Sequence, residues 1–150
     1  MRVLRMGGLA AGLLAWAAGC VDVKGGAVEL AWRIFAPSGA FCCSSKNPCH
    51  AAGAQVVRLH LRPGSCMADE LPLHSFACSD VQSSTAFDIL PEGTYCITVD
   101  AADAAGAAVA VGPGPIFREV TRGEVVELGA IALTVTDAQK CPPDDSQCPE

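Results

Sequence analysis

The segment Ala27-Val-Glu-Leu-Ala-Trp-Arg-Ile-Phe35 sets the fold class of the chain. Its large apolar side chains occupy every second position: Val28, Leu30, Trp32 and Ile34. Glu29 and Arg33 fall between them. A period of two places alternate side chains on opposite faces of a strand, so the segment is predicted to be a strand with one buried face.

Similar alternation recurs along the chain. Further predicted strands cover residues 55–62, 73–78, 84–89, 93–101, 107–111, 116–120 and 124–135. Proline, glycine, asparagine and aspartate separate them, which predicts an all-β, antiparallel sandwich or barrel of about seven strands over residues 27–136. In the last segment the apolar phase changes, and a bulge at Gly129-Ala130 would reconcile the two halves. Residues 100–110 are alanine-rich and could form a helix, but Gly106 and the lack of a large apolar stripe disfavour it, so residues 100–106 are predicted to form a hairpin turn.

Two stretches resemble a known family. Residues 90–99 (LPEGTYCITV) and 120–133 (VTRGEVVELGAIAL) look like the closing half of transthyretin-like or carboxypeptidase-regulatory-like sandwiches, which are immunoglobulin-like modules. The resemblance covers residues 84–135 and implies a fold, not a function. It also implies that the Tyr95 hydroxyl bonds to upstream backbone. Ile97 stands where antibody domains carry a cysteine, so their core disulfide is not expected.

The N-terminus has the features of an export signal. Arg2 and Arg5 precede an apolar run over residues 6–18, which is too short to span a bilayer comfortably. Ala17-Ala-Gly-Cys20 resembles the lipobox of bacterial lipoproteins, which implies removal of residues 1–19 and lipidation of Cys20. Ordinary secretory cleavage after Ala17 is the alternative.

Lipidation would place the protein in the bacterial cell envelope. Residues 20–26 would form a tether, in which the six residues after Cys20 reach at most about 20 Å. Val21, and not aspartate, follows Cys20, which in the lipoprotein sorting rule favours the outer membrane. Losing Arg2 and Arg5 leaves eight basic residues against sixteen acidic ones, so the formal charge changes from −6 to −8. The membrane partner is therefore reached through lipid, and a nucleic acid partner is not expected.

The chain has nine cysteines, a density typical of an oxidising compartment. Besides Cys20, eight can pair completely as disulfides: Cys42, Cys43, Cys49, Cys66, Cys78, Cys96, Cys141 and Cys148. They allow 105 pairings. If residues 55–62 and 73–78 are antiparallel neighbours, Cys49 lies near Cys78, so this is the favoured pair. In the polar tail, residues 137–150, Cys141 and Cys148 either join each other or fasten the tail to the body.

Metal binding and catalysis are the alternatives to a purely structural interpretation. The Cys42 to His50 loop has zinc-binding residue types, but its spacing does not match the usual zinc knuckle. No metal or other cofactor is therefore predicted, and Asp100 and Asp103 fit a turn better than a calcium site. Arg58, His60 and Arg62 form a basic stripe interpreted as a solvated face, with an anion or glycan contact as the alternative. No known catalytic motif occurs, so no catalytic residues are assigned.

The favoured function is a noncatalytic, lipid-anchored envelope lipoprotein that acts as a structural or binding module, with an envelope protein or glycan as its partner. One alternative is an extracytoplasmic enzyme or metal-binding protein that uses the Cys42 to His50 loop. Another is a subunit of a larger envelope complex. A deep polar cleft holding a histidine would favour an enzyme, whereas a large exposed apolar patch would favour the complex.

Overall fold

The computed structural model describes residues 25–42, 47–78 and 86–141. These residues form eight strands, one short helix and a 3₁₀ turn. The strands are β1 (Gly26–Phe35), β2 (Val56–Pro63), β3 (His74–Ala77), β4 (Ala86–Leu90), β5 (Gly93–Ala102), β6 (Ala108–Val111), β7 (Ile116–Val120) and β8 (Val125–Val135). The helix α1 is Pro48–Ala52, and the 3₁₀ turn is Ala138–Lys140. The segments predicted as strands all contain one, so the all-β class is confirmed.

The strands form one curled sheet in the order β3-β2-β5-β6-β8-β1-β4, with β7 also paired to β5. One edge of β5 is shared: β6 pairs with its second half and β7 with its first half. The curl brings strands that are far apart in this order face to face. Trp32 of β1 stacks on Phe76 of β3, with ring centroids 6.4 Å apart. The apolar faces of the strands thus meet in one core.

The expectation of an antiparallel sheet is wrong for one pair. β1 and β8 run parallel, with Val28 beside Val126 and Trp32 beside Ile131. The other strand pairs are antiparallel, so the sheet is mixed. The alternation in β1 could not reveal this, because a period of two is the same whichever way the neighbouring strand runs.

The predicted bulge in β8 is confirmed. Glu29 lies beside Glu127 and Ala31 beside Ala130, so β8 has one extra residue at this point. Gly129 has a φ of 71°, in the left-handed region that favours glycine. The bulge lets Leu128 and Ile131 both face the core despite their odd spacing.

The helix α1 was not predicted. Asn47 caps it through a 3.0 Å hydrogen bond from the His50 backbone N–H, and Pro48 occupies its first turn. Gly53 ends it with a φ of 71°. Asparagine followed by proline is typical of a helix start as well as of a turn, so the pair alone does not decide between them. The hairpin turn predicted at residues 100–106 is confirmed in its second part only, because β5 continues to Ala102 and the Asp103 side chain then accepts from the Ala105 and Ala107 N–H groups.

Three disulfides join described cysteines. Cys49 bonds to Cys78, the favoured pair, and β2 and β3 are antiparallel neighbours as that prediction required. Cys42 bonds to Cys141, which fastens the start of the tail to the body. Cys66 bonds to Cys96. Cys20, Cys43, Cys148 and the signal segment lie outside the described residues.

The Tyr95 hydroxyl bonds to upstream backbone, as the family resemblance implied. It donates a 2.9 Å hydrogen bond to the Pro91 carbonyl, and the Tyr95 side chain is buried. Burial raises the pKa of the phenol. The bond joins the turn between β4 and β5 to the start of β5.

We expect Tyr95→Phe to cost about 1 kcal/mol of unfolding free energy near pH 7, the usual contribution of one hydrogen bond. The wild type should also lose stability above about pH 10, because the unfolded phenol ionises there while the buried one stays protonated. Tyr95 is the only tyrosine, so this loss should be absent in the variant. Urea unfolding of both proteins from pH 8 to 11 measures it, and equal alkaline slopes would contradict the assignment.

Candidate functional site

The outer face of β2 and β5 carries the basic stripe. Val57, Leu59 and Leu61 are buried in the core, so Arg58, His60 and Arg62 point outward. The register places these three beside outward residues of β5: Arg58 beside Asp100, His60 beside Thr98 and Arg62 beside Cys96.

Arg58 and Asp100 form a two-point ion pair. Arg58 Nε donates to Asp100 Oδ1 at 2.6 Å, and Nη2 donates to Oδ2 at 2.7 Å. Nη1 donates to the Gly106 carbonyl at 2.9 Å. The hydrogen bonds that Arg58 donates to Asp100 raise the pKa of the Arg58 guanidinium. Such a planar pair fixes both side chains in orientation.

Residues 64–73, which connect β2 to β3, fold back over this face, and we call them the strap. The Cys66–Cys96 disulfide attaches the strap to β5. Glu70 of the strap contacts His60 Nδ1 at 2.7 Å and also accepts a hydrogen bond from Arg62 Nη2. A covalent bond and an ion-pair cluster therefore hold the strap in place.

A cleft of about 370 Å³ opens beside this cluster. Its lining residues are His60, Arg62, Thr98, Val99, Asp100, Val111, Gly112 and Gly114. The cleft lies where the 112–115 turn leaves β6 and the chain enters β7. A Cβ on Gly112 would lie 2.8 Å from the Val99 carbonyl oxygen, so glycine allows this turn to approach β5 closely.

His60 lies in the cleft, but both of its ring nitrogens face carboxylates. Nδ1 is 2.7 Å from Glu70 Oε1, and Nε2 is 3.3 Å from Asp100 Oδ2. A general base needs a nitrogen lone pair directed at the proton it removes. In this arrangement both nitrogens contact carboxylates and not Thr98, which carries the one hydroxyl among the described residues that line the cleft.

The Cys42 to His50 loop does not form a metal centre in the described part of the chain. Cys42 and Cys49 are both in disulfides, so their sulfurs are not thiolate ligands. In residues 25–42, 47–78 and 86–141, no group of three or more histidine, cysteine, aspartate or glutamate side chains is arranged so that it could hold a metal ion. A smaller pocket of about 140 Å³ lies beside Cys49, His50 and Cys78. Among the same residues, no helix has the length and hydropathy needed to cross a bilayer.

The sequence identified the basic stripe but not its partners. Glu70 was not singled out, and Asp100 was considered only as a calcium ligand or turn residue. Both carboxylates neutralise the stripe, so its interpretation as a simple solvated face is incomplete. Finding Asp100 required the β2–β5 register, and finding Glu70 required the fold of the strap, neither of which the alternation specifies.

Comparison with protein-family models, curated protein sequences and solved structures found no match to this chain. The case for its function therefore depends on the geometry of the described residues.

Proposed function

We propose that the mature chain is a lipid-anchored, noncatalytic binding module of the bacterial cell envelope. In this proposal Cys20 carries the lipid, the outer membrane is the location, and the β-sheet body is an immunoglobulin-like or transthyretin-like sandwich. The cleft beside β2 and β5 is the binding site. The observation that carries the proposal is the fixed polar cluster beside this cleft, of which His60, Arg62 and Asp100 line the cleft itself.

Preorganised polar groups favour binding, because little side-chain entropy is lost when a ligand contacts them. The Arg58–Asp100 pair, the Glu70 contacts and the Cys66–Cys96 disulfide together fix the cleft. Arg62 has guanidinium N–H groups in addition to the one that bonds Glu70, and these are suited to a ligand.

The His60 contacts support a noncatalytic role. Its ring is held between Glu70 and Asp100, so it acts as part of the wall of the cleft. A histidine in a polar cleft would favour an enzyme only if one nitrogen could reach a substrate. The geometry therefore favours binding over proton transfer.

The position of the cleft suits an anchored module. Ala27 N–H donates to the Glu124 carbonyl, which places the start of β1 at the β7–β8 turn. Gly93 pairs with Val120 beside the same turn, and Thr98 is five residues further along β5, or about 17 Å. With a tether of at most about 20 Å, the cleft would lie within about 40 Å of the bilayer.

Capture from membranes of the native bacterium tests this proposal. The full-length chain with a tag after Glu150 is expressed with its own signal, the membranes are solubilised, and bound material is identified. We expect the wild type to recover a specific ligand or partner. We expect Arg62→Met to recover at least fivefold less, because it removes the guanidinium from the cleft.

Arg122→Met is the matched control. Arg122 also pairs with a glutamate, Glu92, but lies at the β7–β8 turn and not in the cleft. We expect it to recover as much as the wild type. Cys20→Ser should move the protein out of the membrane fraction, and a Cys20→Ser protein that still partitions with membranes would refute the anchor.

A further inference from the structure

We infer that the ligand of the cleft is an uncharged saccharide unit of one or two sugar rings. The inference rests on the proposed function, since it names the ligand class for the same site. The cleft volume of about 370 Å³ is within the range of small-ligand pockets, near its lower end.

The charge of the cleft argues for an uncharged ligand. Arg58 and Arg62 are each paired with a carboxylate, Asp100 and Glu70 respectively. An anionic ligand at Arg62 would lie near two carboxylates, Glu70, which already pairs with that guanidinium, and Asp100, which lines the cleft. A cationic ligand would lie near the Arg62 guanidinium, which lines the cleft. Like-charge contacts of this kind cost binding free energy, so neither charged class suits the site.

The remaining groups suit sugar hydroxyls. Arg62 can donate, Asp100 can accept on its carboxylate oxygens, and Thr98 can do both. Aliphatic surface lies next to them: Val111 lines the cleft and is 44% exposed. Phe117 is 52% exposed. In the sheet register Cys96 lies between Arg62 on β2 and Phe117 on β7, so two strand spacings, about 10 Å, separate Arg62 from Phe117. A sugar ring has polar edges and apolar C–H faces, and this surface matches both.

A peptide strand is the less suitable ligand. Strand addition needs an unpaired backbone edge. At the cleft, β5 pairs with β2 on one side, and on the other the Val99 carbonyl accepts a 2.8 Å hydrogen bond from Gly112 N–H. The backbone beside the cleft is therefore already bonded.

The test is a titration of the oxidised mature domain with soluble sugars, followed by backbone amide NMR. The probes are glucose, mannose, galactose, N-acetylglucosamine and the disaccharides maltose, lactose and chitobiose, with glucuronic acid and glucose 6-phosphate as charged analogues. We expect at least one neutral sugar to shift the amide signals of residues 98–100 and 111–114. We expect its charged analogue to bind at least fivefold more weakly.

Thr98→Val and Thr94→Val are the matched variants. Both residues face outward from β5, but only Thr98 lines the cleft, and valine keeps the shape and strand preference of threonine. We expect Thr98→Val to weaken sugar binding about three- to tenfold, the effect of one hydrogen bond, and Thr94→Val to leave it unchanged.

Three outcomes would overturn the inference: no neutral sugar shifts these signals at 20 mM, a charged analogue binds more tightly, or both variants behave alike. If sugars fail while Arg62-dependent capture from membranes succeeds, the binding module stands and only the ligand class is wrong. Vesicles bearing a glycolipid with the same headgroup, compared with the free sugar, distinguish a lipid-borne source from a soluble one.

Discussion

Replacing Cys42 and Cys141 together by alanine is expected to lower the free energy of unfolding by about 4 to 5 kcal/mol. The disulfide joins residues 99 positions apart, and in the chain-entropy account a loop of that size contributes about 4.7 kcal/mol. The melting temperature should fall by about 10 to 15 °C. Urea unfolding monitored by circular dichroism measures the loss.

The Cys42–Cys141 disulfide stabilises the protein mainly by restricting the unfolded chain, because the native sheet already holds the two cysteines close together. β1 and β8 run parallel, with Phe35 beside Thr134. The segment after β1, which carries Cys42, and the segment after β8, which carries Cys141, therefore leave the sheet side by side. Alanine also suits these sites, because both cysteines are buried and accept a small apolar residue.

The Cys66→Ala/Cys96→Ala pair is the control. It closes a span of only 30 residues, for which the same account gives about 3.7 kcal/mol. We therefore expect the Cys42–Cys141 pair to cost more. A reversed order, or a wild-type melt that a reductant leaves unchanged, would contradict the view that the disulfides stabilise this alanine-rich core.

The second large effect is expected at Trp32. It is 2% exposed and stacks on Phe76, so Trp32→Ala should cost about 3 to 5 kcal/mol through lost burial and the cavity left behind. Trp32→Phe should cost much less, about 1 to 2 kcal/mol. The Trp32 Nε1–H is buried and finds no acceptor among the described residues, so its removal offsets part of the lost packing.

Phe117→Ala is the control for Trp32, because Phe117 is aromatic but half-exposed and should cost under about 1 kcal/mol. Urea unfolding of the oxidised variants, followed by circular dichroism, compares them. If Trp32→Phe were as destabilising as Trp32→Ala, the Trp32 Nε1–H would have a partner that the core does not show.

The sequence predicted the strands well because their residues alternate over long stretches. The buried face of β1, the β8 bulge and the Cys49–Cys78 pair all follow from local pattern or from neighbouring strands. The parallel β1–β8 pair does not, because it joins the two ends of the body and leaves no mark on alternation. The helix α1 was missed because five residues are too few to show a helical period.

The candidate site was predicted only in part. Arg58, His60 and Arg62 were found together because they share one strand. Asp100 and Glu70 come from β5 and the strap, and only the tertiary fold brings them to the stripe. Their contacts change a basic stripe into a charge-balanced cleft, which disfavours the anion contact that the stripe alone suggested and leaves the glycan contact.

The capture of envelope material by the full-length, membrane-purified chain tests the central claim most directly. The claim is that an anchored module binds through the cleft beside β2 and β5. It predicts a specific ligand or partner with the wild type and with Arg122→Met, and at least a fivefold loss with Arg62→Met. Recovery of the protein alone in every detergent, or equal capture by Arg62→Met and Arg122→Met, would contradict it.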